Sequence, residues 1–124
     1  MVNYFFVSIG AAFGGALRYW ISNFVFKFLP ENFPYGTLIV NLLGSFLVGF
    51  IMYYLNEREI IGTNMRLLVA VGFCGGFTTF STFSLETMNL LRDSEFLLAG
   101  LNVLLNISLC MIGIFLAYIF FKAN

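Results

Sequence analysis

Residues 67–91, LLVAVGFCGGFTTFSTFSLETMNLL, decide how this chain folds. The stretch is long enough to cross a hydrocarbon layer, which takes about 20 residues of helix. Its middle nevertheless holds Gly75 and Gly76, each costing about 1 kcal/mol relative to alanine in a helix interior. After them, the hydroxyls of Thr78, Thr79, Ser81, Thr82 and Ser84 alternate with the rings of Phe77, Phe80 and Phe83. The pattern predicts a membrane helix broken at Gly75-Gly76. Broken backbone at membrane depth is tolerated only where protein or water surrounds it, and unwound carbonyls in such breaks are able to hold Na+.

Outward from this stretch, three more apolar segments are long enough to span: Tyr4 to Leu29, Gly36 to Leu55, and Phe96 to Phe121. The chain is 60% hydrophobic and 10% charged, with a mean hydropathy of +0.95, whereas soluble domains carry about 25% charged residues. The 124 residues therefore read as one all-α integral membrane domain with four transmembrane helices (spans 4–29, 36–55, 67–91 and 96–121) in contact with lipid. The connections LPENFPY, NEREIIGTNMR and RDSE leave no room for a water-soluble active site. The first segment lacks a basic start and outruns the apolar core of about 7 to 15 residues of a cleavable signal, so it is expected to stay as a helix.

No histidine occurs, and of Glu31, Glu57, Glu59, Glu86, Asp93 and Glu95 only Glu86 falls clearly within a span. Metal-ligand clusters and histidine-based catalysis are thereby excluded, and the chain is not expected to be an enzyme. Cys74 and Cys110 lie inside spans and read as small packing residues rather than a disulfide or metal pair. No nucleic-acid partner is expected.

Orientation follows the Lys and Arg of the short loops. Arg58, Arg66 and Lys122 fall on one side and Lys27 and Arg92 on the other, so the bias is close to nil. Insertion in both directions, and pairing of two opposed copies about an axis in the membrane plane, follows as one reading; a single orientation fixed by a few charges is the other. Four short helices do not easily surround a pathway alone, which makes a dimer the natural way to build one. Carbonyls from two antiparallel breaks would then converge on one cation.

Each span carries polar residues that need an account. Gly10 and Gly14 have the small-xxx-small spacing of close helix packing. Arg18 follows them, at a burial cost of about 2.5 to 3.5 kcal/mol on insertion scales, and either snorkels to an interface or faces an aqueous vestibule. Thr37, Asn41 and Ser45 recur every four residues and share a helical face, where Asn41 serves either helix–helix bonding or a pathway lining. In the last span, Asn102 and Asn106 are not accounted for, and Ser108 lies roughly 200° around the helix from Asn106. Beyond the break, Phe77, Phe80 and Phe83 form an aromatic edge, and Thr79, Thr82 and Glu86 a polar one. Ring edges are electropositive, so neutral hydroxyl and amide donors beside them suit a small anion better than a cation, while core packing is the plain alternative for the rings.

Taken together, the glycines and Arg18-Tyr19 of the first span, GTLIVNLLGSF at 36–46, GFCGGFTTFSTFSLE at 72–86, and Ser108 resemble the Fluc (CrcB) fluoride channels over essentially the whole chain. The resemblance implies a dual-topology antiparallel homodimer with two pores that exports cytoplasmic fluoride from microbes by passive electrodiffusion across the plasma membrane. Phe80 and Phe83 look like the aromatic box whose edges contact fluoride, and Asn41 like the pore amide beside it. Ser81, Thr82 and Ser108 would continue a hydrogen-bonding track with Glu86 near its end, Thr37 would join the pathway, and Arg18 would line the vestibule. Gly75 and Thr78 match positions whose carbonyls hold a structural, untransported Na+ at the dimer centre. The rival readings are a small four-helix proton-coupled multidrug transporter, which depends on a first-span glutamate where this chain has no acid before Glu31, and a nonconducting assembly subunit.

Overall fold

The computed structural model describes residues 2–122, all helix and connecting turns with no strand among them. The side chain of Lys122, counted above for orientation, lies outside the described residues, as do Met1 and residues 123–124. Helix α1 runs Val2–Val25. Helix α2 covers Tyr35–Asn56, widening to π-type turns over Ile51–Asn56. Helix α3 occupies residues 63–77, with π-type turns over Leu67–Cys74. Helix α4 is Phe80–Arg92, and α5 is Phe96–Ala117, continued in wide turns by Tyr118–Lys122.

Among the described residues, three segments are long and apolar enough to cross a membrane: Tyr35–Asn56, Thr63–Arg92 and Phe96–Phe121. The 24 residues of α1 have the length, with Arg18 lowering their apolarity. Large apolar side chains such as Phe13, Trp20, Leu97, Leu104 and Phe115 point outward, the arrangement expected where lipid rather than water surrounds the helices.

Helices α1 and α3 touch backbone to backbone. A Cβ at Gly10 would overlap the Leu68 carbonyl and one at Gly14 the Phe73 carbonyl; one at Gly76 would lie 2.6 Å from the Ala11 oxygen. The small-xxx-small spacing of the first span thus serves close packing. Helices α2 and α5 pack through small residues as well, with Ala117 fully buried where a Cβ on Gly49 would come within 2.7 Å of its own.

The break is not at Gly75-Gly76. Both glycines are helical, and the chain leaves the helix at Thr78 (φ −90°, ψ 160°) and Thr79 (φ −151°, ψ 119°). The reason is that Gly76 is needed small, against Ala11, and not flexible, while the backbone opens where a side chain of α2 takes over its hydrogen bonds.

Two connections contain left-handed residues that are not glycine, Glu59 (φ 57°) and Ser94 (φ 63°). At the second, Ser94 N–H bonds to the Leu91 carbonyl and Glu95 N–H to Leu90, a Schellman arrangement that satisfies the last carbonyls of α4. This turn returns the chain at once into α5 and sets α5 alongside α4.

Candidate functional site

Helix α2 passes the break and presents Asn41 to it. Thr79 N–H donates to Asn41 Oδ1 at 2.8 Å, and Asn41 Nδ2 donates back to the Thr79 carbonyl at 3.2 Å. In an unbroken helix the Thr79 N–H would close on the Gly75 carbonyl. One amide therefore replaces the local ladder and releases the Gly75 carbonyl, while the Thr78 carbonyl is released because its helical partner, Thr82 N–H, turns to Thr79 Oγ1. The Gly76 carbonyl accepts from Arg18 Nε at 3.2 Å, so Arg18 caps the end of α3 instead of standing free. Thr78 itself stays tied to α3, its N–H and hydroxyl both donating to the Cys74 carbonyl.

Helix α4 then starts afresh. Thr79 is its N-cap, and its Oγ1 accepts from Thr82 N–H at 3.2 Å, leaving the N–H groups of Phe80 and Ser81 with no carbonyl a turn earlier in the helix. The negative end of α3 and the positive end of α4 consequently meet at one level. Free carbonyls suited to a cation and free N–H groups suited to an anion lie a few residues apart.

The break opens on a groove of about 490 Å³. Asn41, Phe80, Phe83 and Asn106 border it, with Gly75 and Thr78 from the broken segment. The rings of Phe80 and Phe83 lie 5.5 Å apart at 48°, yet Phe83 is 8% exposed and Phe80 78%. One ring belongs to the interior and the other stands out from the protomer.

Asn41 reaches this groove with both N–H groups already given away: the second bond from Nδ2 goes to Asn106 Oδ1 at 3.0 Å. Ser81 is exposed beside the break and Thr82 half-buried. Thr37, one turn from Asn41 on α2, is buried, and its hydroxyl faces the Glu86 carboxylate. Glu86 Oε1 is buried without a hydrogen-bond partner among the described residues, and Glu86 borders a second cavity of about 660 Å³ whose wall includes Glu31, Asp93 and Glu95. Ser45 borders the groove with Asn41, so two of the three residues on the Thr37–Asn41–Ser45 face of α2 line it.

Ser108 does not border the groove; Asn106 and Cys110 do, because the face of α5 turned to α2 repeats every four residues and Ser108 lies off it. Asn102 and Asn106 are 0% and 5% exposed and belong to the polar interior that the sequence reading left unaccounted for. Their four-residue spacing was the signal that pointed there.

The sequence model of the family described as CrcB-like protein, Camphor Resistance (CrcB), matches residues 5–118. The chain belongs to the CrcB family. That match takes in nearly all of α1, the whole of α2 to α5, the break and the groove. Curated CrcB relatives carry the name fluoride-specific ion channel FluC. One from Methylocella silvestris is 42% identical over 95% of this chain and 92% of its own length. One from Magnetococcus marinus is 45% identical over 91% and 92%, and one from Shewanella sp. (strain ANA-3) is 44% identical over 94% and 93%.

Proposed function

We propose that this protein is a fluoride-specific channel of a bacterial plasma membrane, passing fluoride down its electrochemical gradient, and that it works as an antiparallel homodimer of four-span protomers with two pores. The observation that carries this reading is the break at Thr78–Thr79. It turns the positive end of α4 and uncharged donors toward an open groove flanked by Phe80 and Phe83. The ion is the one named for the relatives.

A fluoride ion holds its water tightly, so a path must replace that shell without trapping the ion. The donors offered here are neutral: the Phe80 and Ser81 N–H groups, the Ser81 hydroxyl, and the ring edges of Phe80 and Phe83. Asn41 and Thr82 shape this turn, Glu86 marks the further cavity with the buried Thr37 beside it, Arg18 fixes the end of α3, and Ser108 lies off the groove. An exposed Phe80 beside a buried Phe83 supports a second copy that covers the groove and completes the aromatic lining. Near-balanced loop charges support insertion in both orientations.

The donor set at the break also fits a structural Na+, since the released carbonyls of Gly75 and Thr78 are neutral, hard oxygen ligands. When bound, the cation would supply fixed positive charge beside the anion's route. The test is fluoride efflux from proteoliposomes of the purified protein, with chloride as control. Fluoride flux far above chloride is expected, and equal flux of the two would overturn the reading.

A further inference from the structure

Asn102 and Thr87 stand behind the groove and, with Asn106 on its border, join its two sides. From the backbone N–H of Thr79, hydrogen bonds run to Asn41, from Asn41 to Asn106 Oδ1, from Asn106 to Asn102 Oδ1, from Asn102 to Thr87 Oγ1, and from Thr87 to the Phe83 carbonyl, each at 2.8–3.0 Å. Every bond in the series donates in the same sense. The first group, an N–H, can only donate, and the last, a carbonyl, can only accept. Reversing Asn106 would set donor against donor toward Asn41 and acceptor against acceptor toward Asn102, and reversing Asn102 would set its Nδ2 against the Asn106 Nδ2 and take the Thr87 hydroxyl away from the Phe83 carbonyl. The orientations of all three asparagines are therefore fixed together, and the bonds polarise one another along the series. Two side bonds lock the same sense: Asn41 Nδ2 to the Thr79 carbonyl, and Asn106 Nδ2 to the Asn102 carbonyl.

The series begins at Thr79 and ends at Phe83, so both ends lie on the first turn of α4, the turn that carries the free N–H groups and both rings. It leaves that turn, crosses α2 and α5, and returns. We propose that Asn106, Asn102 and Thr87 are positioning residues: through one directional relay they hold the first turn of α4 and the Asn41 amide in a single relative placement, and thereby set the geometry that the anion meets. The consequence for flux rests on the fluoride reading above; the hydrogen-bonding claim does not.

Thr87→Val is close to isosteric and removes the hydroxyl that lies four hydrogen bonds away from the Thr79 N–H. In the full-length protein in nanodiscs, the Thr79 amide is expected to exchange with deuterium about tenfold faster in Thr87→Val, the size of one buried hydrogen bond, and to regain its protection in Thr87→Ser. Asn102→Leu, which touches neither Thr79 nor Asn41, is expected to do the same. Fluoride efflux should fall by about tenfold in Thr87→Val and return in Thr87→Ser, with elution volume and helical content unchanged. Unaltered Thr79 exchange in both Thr87→Val and Asn102→Leu overturns the relay, whatever happens to flux. Faster exchange in a protein that carries no fluoride leaves the relay standing and removes the channel reading instead.

Discussion

Arg18 Nε on α1 donates to the carbonyl of Gly76 on α3 across 3.2 Å, placing a permanent positive charge on the end of a helix whose ladder stops two residues later. A cation at a helix C-terminus is favourable, and here it also satisfies a carbonyl that the break would orphan. Arg18→Leu is expected to lower unfolding stability by about 1.5 to 3 kcal/mol, the range for hydrogen bonds to charged groups. Chemical denaturation in detergent measures it; unchanged stability would overturn the capping role of Arg18.

Asn41→Asp keeps the shape and loses the donors. The introduced carboxylate, when ionised, would still accept from the Thr79 N–H, but it would face the Thr79 carbonyl and Asn106 Oδ1 with acceptors on both sides. Leaving two buried acceptors unpaired costs about 1 to 3 kcal/mol each, so a large loss of stability and of fluoride flux is expected. Asn41→Asp behaving as the unsubstituted protein in both measurements would contradict the geometry at the break.

Phe80 and Phe83 are separable by what each substitution damages. Phe83→Ala opens the interior and is expected to cost about 3 to 5 kcal/mol. Phe80→Ala, at a ring 78% exposed, should leave the protomer's own packing nearly untouched. Phe80→Ile and Phe83→Ile are both expected to suppress fluoride efflux while the protein stays folded. Full flux in both would remove the rings from the pathway.

The adjacent glycines should respond oppositely. A Cβ at Gly76 lies 2.6 Å from the Ala11 oxygen, and one at Gly75 meets nothing within 4 Å. Gly76→Ala is therefore expected to destabilise by about 1 to 3 kcal/mol through overpacking. Gly75→Ala leaves the helix of the protomer intact and favours it by about 1 kcal/mol. Thermal unfolding followed by circular dichroism separates the two.

If the carbonyls of Gly75 and Thr78 hold Na+, a ligand bound to the native state raises the unfolding midpoint with its concentration. Replacing Na+ by N-methylglucamine should lower that midpoint. A midpoint indifferent to Na+ would remove the site.

The helical, apolar character of the chain and the shared face of Thr37, Asn41 and Ser45 were legible because they depend on spacing within one helix. The location of the break was not. Two glycines weaken a helix locally, but the chain opens where its N–H finds a better acceptor, and that acceptor, Asn41, lies 38 positions away in sequence. Asn106 shows the same limit: its partner on α2 is 65 positions away, although its four-residue spacing from Asn102 was on view. Arg18 gave a cost without a destination, since the carbonyl that receives it exists as an open acceptor only because the break does.

The contact of α1 with α3 has a mechanical consequence. Where two backbones meet with no layer of side chains between them, a change of rotamer has nothing to act on, and the pair behaves as a single stiff strut. The joint at Thr78–Thr79 is held differently, by side-chain hydrogen bonds instead of packed glycine. A change in α1 is thus carried directly to the end of α3, whereas the placement of α4 depends on the Asn41 amide and the bonds behind it.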